Sequence, residues 1–167
     1  MEILESAYSR GNEFTVGLVD GIRSTGLLFD FDTKRRNGYI HLTRTPVNVY
    51  KALDKKEFER FFSLFYRTWN GNKDFIHEDF LKGLFEFYTY YKDDIDDELF
   101  IKRLSYLTDF KVIATGDKKK KEIAKLIFQK YNKNKRLYSN NRLEEKKYLC
   151  GILGIVIIYL LTLIPYI

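Results

Sequence analysis

The chain is poor in the residues that build disulfide-stabilised folds and metal sites. Its 167 residues include one cysteine, Cys150, and two histidines, His41 and His77. A single cysteine excludes an intrachain disulfide and any cysteine-rich metal site. Because the histidines show no metal-ligand spacing, the sequence predicts neither a metal centre nor another cofactor. The N-terminus also lacks the basic start and apolar run of a signal peptide.

Catalytic signatures are equally scarce. The acidic run from Asp93 to Glu98 lacks the glycine and the terminal glutamate of a calcium loop. Acidic residues are favoured at the start of a helix by the helix dipole, and that position explains this run. We therefore expect a protein that is not an enzyme.

Charge is unevenly distributed along the chain. Residues 1–110 carry 16 basic and 19 acidic side chains, whereas residues 111–147 carry 13 basic and 4 acidic ones. Such a basic segment has two candidate partners, nucleic acid phosphates and anionic lipid headgroups. The candidate binding residues are Lys118, Lys119, Lys120, Lys121, Lys125, Lys133, Lys135 and Arg136.

The last twenty residues, 148–167, contain no charged side chain. Twenty helical residues span about 30 Å, which is the thickness of the hydrocarbon core of a bilayer. The sequence therefore predicts a single transmembrane helix at 148–167, preceded by a basic linker at 138–147. Since the basic residues precede the span, the positive-inside rule places residues 1–147 in the cytoplasm and predicts a tail-anchored, single-pass protein.

Residues 1–53 predict a small strand-rich part. The run EFTVGLVDG (13–21) ends in Asp20-Gly21, and GLLFDFD (26–32) alternates with period two. The dipeptide Asn37-Gly38 is a hairpin signal before the run that ends at Pro46. We expect these segments to form a small antiparallel sheet.

Residues 54–137 predict a helical domain. Asp54 and Glu57 have the spacing of a capping box, and apolar residues follow at intervals of three and four. Further helices are predicted at 77–92, 93–107 and 118–132, the last with Ile123, Ile127 and Tyr131 spaced by four residues on one apolar face. Short connections favour antiparallel packing. The fold class is thus α+β and mostly α, with a bundle-like helical domain and one C-terminal transmembrane helix.

Three stretches together carry a family resemblance: VDGIR (19–23), the segment from FYRTWNGNK to FIKRLS (65–105), and FKVIATGDKKKKEIAKLIFQKYNKNKR (110–136). They resemble the ParB/sulfiredoxin-like (ParB-like nuclease) proteins of low-GC Gram-positive phages and plasmids. The resemblance implies nuclease roles for Asp20 and Arg23 and nucleic acid as a partner. Where that family has Asp-Gly-Gln-His-Arg, this chain has Asp-Gly-Ile-Arg-Ser, with no histidine and the arginine one place earlier.

Three functions are consistent with these features. The first is a non-enzymatic, tail-anchored accessory protein whose cytoplasmic helical domain binds an unknown protein partner. The alternative is a nucleic-acid-binding protein of ParB-like ancestry tethered to the membrane. The third is a surviving nuclease that uses Asp20 and Arg23.

Overall fold

The structure is a computed structural model, and it describes residues 2–30, 36–41 and 44–132. Helices dominate these residues, and the strand content is small. The helices and strands, in chain order, are α1 (Glu2–Ser9), α2 (Glu13–Arg23), β1 (Leu28–Asp30), β2 (Tyr39–His41), α3 (Arg44–Ala52), α4 (Lys55–Trp69), α5 (Glu78–Tyr91), α6 (Asp97–Leu104) and α7 (Gly116–Tyr131). A 3₁₀ turn, Lys92–Asp94, follows α5.

Helix α4 forms where its sequence predicts a helix, and it contributes seven buried residues to the core. The Asp54 side chain accepts a hydrogen bond from the Glu57 amide at 2.9 Å, which confirms the predicted cap. Asn70, in the left-handed conformation, ends the helix. The buried residues of α4 are Phe58, Phe61, Phe62, Leu64, Phe65, Thr68 and Trp69.

The packing directions of the helices are only partly as predicted. Helices α4 and α5 are antiparallel, because the Tyr88 hydroxyl reaches Glu57 while the rings of Trp69 and Phe80 meet 4.9 Å apart. Helices α5 and α7 instead run parallel, since Lys119 pairs with Asp79 near both starts. Tyr91 and Phe128 then stack near both ends, with ring centroids 4.9 Å apart. The predicted antiparallel packing is wrong for this pair. Helix α6 lies between them in the chain and returns the chain to the end at which α5 begins.

The strand predicted at residues 13–21 is wrong, because these residues lie in helix α2. A Cβ at Gly21 would come within 2.9 Å of the Phe58 ring, and a Cβ at Gly17 would collide with the Tyr50 hydroxyl. The two glycines lie four residues apart on one face of α2. Their role is therefore close approach to α3 and α4, and not a turn.

The predicted antiparallel hairpin is also wrong. Strands β1 and β2 pair in parallel, with Phe29 opposite Ile40. Gly38 does not close a hairpin turn, because its amide donates to the carbonyl of Gly71, at the end of α4, over 2.7 Å. Among the described residues the strand prediction holds only for the two three-residue strands, and residues 44–52 form helix α3.

No helix in the described part of the chain is both long and apolar enough to cross a membrane. The predicted transmembrane segment at 148–167 and the predicted linker at 138–147 lie outside the described residues.

Candidate functional site

Helix α7 carries most of the basic residues singled out in the sequence. Its core face is formed by Ile123, Ile127 and Tyr131, which are buried at the predicted spacing of four residues. At about 100° per residue, Lys118, Lys121 and Lys125 fall on the side opposite to this core face. The run of four lysines is thereby divided between two sides of one helix.

Two lysines of the run are paired with acidic side chains. Lys119 Nζ lies 2.8 Å from an Asp79 carboxylate oxygen, and Lys120 Nζ lies 3.4 Å from Glu86. Lys120 also lies 3.7 Å from Asp117. The hydrogen bond from Lys119 holds the pKa of Asp79 below its usual range, against the opposing effect of burial. These two lysines fasten α7 to α5 and are poorly placed to bind another anion.

The two remaining lysines of the run, Lys118 and Lys121, together with Lys125 form what we call the lysine stripe. All three are exposed, and none makes an ion pair with another described residue. Glu122, the only acidic side chain between residues 118 and 132, likewise forms no ion pair within the described part of the chain. Three lysines with one glutamate among them leave this side of the helix with a net positive charge, which can bind an anionic surface. Lys133, Lys135 and Arg136 lie outside the described residues.

The two candidate nuclease residues do not lie at a strand end. Asp20 and Arg23 are exposed on the last turns of α2. Arg23 donates a hydrogen bond to the Tyr8 hydroxyl at 2.8 Å, and its guanidinium lies 5.6 Å from the centroid of the same ring. Arg23 therefore joins α2 to α1, and no other predicted site residue in the described part of the chain forms a hydrogen bond or ion pair with Asp20 or Arg23.

A family model described as a family of unknown function (DUF6551) matches residues 7–144. The chain belongs to this family. No curated protein and no solved structure matches the chain. The matched range includes the whole lysine stripe.

The most tightly connected polar group of this DUF6551 chain was not predicted from the sequence. Arg60 on α4 donates to the Asp97 carboxylate at 2.7 Å and to the carbonyl oxygens of Lys92 and Ile95 at 3.0 and 2.9 Å. Its hydrogen bond to Asp97 raises the pKa of Arg60. Since the partners are 32 to 37 residues away in sequence, no local spacing marks them.

Tyr88 extends this group from α5. Its hydroxyl donates to a Glu57 carboxylate oxygen at 2.6 Å, and burial raises the pKa of Tyr88 well above its usual range. The hydroxyl therefore stays protonated and acts as a donor. Because the polar atoms of Arg60 and Tyr88 are already engaged with protein groups, this network stabilises the domain and offers little to a substrate.

A cleft of about 330 Å³ opens between α3, α5 and the start of α7. Its charged lining residues are mostly paired: Lys82 with Glu78 at 2.9 Å, and Lys120 with Glu86 and Asp117. The cleft thus presents little uncompensated charge to a ligand. Among the described residues there is no group of three or more metal-ligating side chains.

Proposed function

We propose that this DUF6551 member is a non-enzymatic, membrane-associated accessory protein whose helical domain contacts anionic lipid headgroups through the lysine stripe. The observation that carries the proposal is the division of the lysine run: Lys119 and Lys120 are neutralised by α5, while the stripe remains exposed. The predicted transmembrane segment at 148–167 would hold the domain at the same membrane. The other surfaces of the helical domain would remain available to bind a protein partner.

The expected strength of the contact suits a tethered domain. Each lysine near an anionic leaflet contributes about 1 kcal/mol, so three contribute about 3 kcal/mol. This corresponds to about a hundredfold preference for the docked position. Such a preference is weak for a freely diffusing protein but sufficient for a domain already held at the membrane by a second attachment.

The composition of the stripe favours lipid over nucleic acid. This side of α7 carries no arginine for a bidentate base contact. Lysine ammonium groups act as point charges that suit headgroups of variable position. Nucleic acid binding, with ParB-like ancestry, stays the alternative, and the same lysines would then contact phosphates.

The test uses the full chain reconstituted in vesicles of phosphatidylcholine, with or without phosphatidylserine. Lysine acetylation by an amine-reactive reagent is quantified at each position by mass spectrometry. We expect Lys118, Lys121 and Lys125 to be protected only on the vesicles with phosphatidylserine. Lys55 and Lys56, which are exposed at the start of α4, should react equally on both and serve as internal controls.

Two results would contradict the proposal. The first is equal acetylation of the stripe on both kinds of vesicle. The second is protection by added duplex DNA but not by phosphatidylserine. In the second case the logarithm of DNA affinity should fall with the logarithm of salt concentration with a slope of about −2.7, if three phosphates are neutralised.

A further inference from the structure

The connection between α6 and α7, residues 105–115, exposes apolar surface to an unusual degree. Among the large hydrophobic side chains of the described residues, the two most exposed are Tyr106, at 82%, and Ile113, at 108%. Single exposed apolar residues are common on protein surfaces and need no explanation. Here both extremes lie in one connection that leads directly into the helix with the lysine stripe.

The connection is held against the core from its inner side. The Phe110 ring lies 4.9 Å from Phe80 and 5.8 Å from Phe75, measured between centroids. Val112 is also partly buried against the core. Because its neighbours at 110 and 112 are held in place, Ile113, at a bend of the chain, projects outward from a supported backbone.

The charged residues along the chain around Ile113 are two lysines and two aspartates. Lys111 is exposed and makes no ion pair with a described residue, and Lys118 follows Ile113 by five residues, a distance of at most about 18 Å. Two acidic residues lie nearby. Asp109 accepts a hydrogen bond from the Lys111 amide at 3.3 Å, and Asp117 lies 3.7 Å from Lys120.

We propose that the α6–α7 connection inserts Ile113 into the interfacial layer of an anionic membrane, with Tyr106 at the level of the headgroups. This inference rests on the proposed function, because the lysine stripe must first bring the domain to the lipid. An isoleucine that is fully exposed in the folded domain gains from leaving water, and the lysine stripe, which begins at Lys118, is opposite in charge to the surrounding headgroups. A tyrosine ring with its polar hydroxyl suits the interface.

The test places an environment-sensitive fluorophore at position 113 of the full chain, using Ile113→Cys in a Cys150→Ser background. The labelled protein is reconstituted in phosphatidylcholine vesicles with or without phosphatidylserine, some with a quencher on the acyl chains. We expect a blue shift and quenching only with phosphatidylserine. The matched control carries the label at Leu28→Cys, an exposed apolar position on β1, and should remain in water.

A second measurement uses unlabelled protein. Ile113→Ser should lower the equilibrium constant for docking by about tenfold, and protection of the lysine stripe from acetylation should weaken accordingly. The reason is that about half or more of the free energy gained by burying an isoleucine is lost. Leu28→Ser should leave protection unchanged. Ile113→Ser should not unfold the domain, since the side chain has no contact with the core, and the emission of buried Trp69 checks this.

The outcomes separate the inference from the function on which it rests. If the stripe is protected by phosphatidylserine while the label at 113 stays in water, the inference is overturned and the proposed function stands. If phosphatidylserine changes neither the acetylation of the stripe nor the emission of the label, the inference and the proposed function are both wrong. A blue shift without lipid that grows with protein concentration would show that a second copy of the chain covers Ile113, and this too overturns the inference.

Discussion

At the scale of single residues, Gly83 sets the distance between α5 and α7. A Cβ at this position would lie 2.5 Å from Ile123 Cβ and 3.1 Å from the Lys120 carbonyl oxygen. Alanine in place of glycine within a helix normally stabilises by roughly 0.5–1 kcal/mol. Here the overlap with a branched core residue and with backbone outweighs that gain, because overpacking costs about 1–3 kcal/mol.

We therefore predict that Gly83→Ala lowers the free energy of unfolding. The measurement is urea unfolding followed by the emission of Trp69, the only tryptophan in the chain and a buried one. In an Ile123→Ala background the cost of Gly83→Ala should shrink, because the obstructing side chain is gone. A stabilising effect in the wild-type background would mean that the two helices lie further apart than the structure shows.

Arg60 is the second residue with a large expected effect. Its guanidinium satisfies one carboxylate and two carbonyl oxygens in a partly buried position. Arg60→Gln leaves most of these acceptors without a donor and should cost about 2–3 kcal/mol of unfolding free energy. The same denaturation experiment measures the change.

Arg67 provides the matched control for Arg60. It lies two turns further along α4 and pairs with Glu98 at 2.5 Å, but both side chains are largely exposed. Exposed ion pairs contribute about 0–1 kcal/mol, so Arg67→Gln should have little effect. Equal losses from the two substitutions would show that the Arg60 network is no stronger than a surface pair.

At the scale of helices and strands, the sequence correctly predicts the elements that can be recognised from the local spacing of their residues. Asp54, Glu57 and the aromatic face of α4 define a helix without help from the rest of the chain, and the structure confirms it. The core face of α7 is likewise confirmed at Ile123 and Ile127.

The predictions from sequence are wrong where a residue contacts a part of the chain that is distant in sequence. In α2, the dipeptide Asp20-Gly21 predicts the end of a strand, but Gly21 faces Phe58 and Gly17 faces Tyr50, both more than thirty positions away in sequence. The sequence predicts that Pro46 ends an extended segment, but it occupies the first turn of α3, where proline is tolerated.

The candidate site was predicted in part for the same reason. The sequence alone shows that the segment forming α7 is rich in lysine. Which of them are paired depends on Asp79 and Glu86, on a helix that the sequence does not place beside α7. The selection of the lysine stripe from the longer run therefore required the structure.

The pairing of α5 with α7 predicts a dependence of stability on pH. The Lys119 hydrogen bond lowers the pKa of Asp79, and His77 and Lys82 lie beside the same carboxylate. A carboxylate with a lowered pKa stabilises the folded state above its unfolded value of about 3.9, and this stability is lost as pH falls through the folded pKa.

The expected outcome is a stability difference between wild type and Asp79→Asn that is constant from neutral pH down to about 4 and narrows below it. Urea unfolding at a series of pH values measures this difference. Asp117→Asn, at the exposed start of α7, is the control and should show a small difference throughout. A difference for Asp79→Asn that does not depend on pH would refute an ionic origin.

At the scale of the whole molecule, the described residues form one hydrophobic core. Its buried hydrophobic residues run from Leu18 to Tyr131. We predict that residues 1–147, produced alone, are soluble and unfold cooperatively on heating. Loss of a cooperative transition in this truncated chain would show that residues 148–167 belong to the core.

An experiment on membrane attachment distinguishes most clearly between the interpretations of the chain. Arginine in place of Ile157, near the middle of the predicted span, should cost roughly 2.5–3.5 kcal/mol of insertion free energy. The control, Asn140→Arg, lies in the predicted linker outside the span and should cost almost nothing. The wild-type protein should sediment with membranes, resist carbonate extraction and expose its N-terminal domain to protease on the cytoplasmic side only.

Ile157→Arg should move a substantial fraction of the protein to the soluble or aggregated pool, since the cost equals about a hundredfold change in the insertion equilibrium. If salt washes the wild-type protein from membranes, the lysines alone were holding it there, because screening weakens headgroup attraction and leaves an inserted helix in place. If Ile157→Arg sediments like wild type while both resist salt and carbonate, residues 148–167 are not the anchor. The attachment would then have to lie among residues 1–147, where no described helix is able to cross a bilayer.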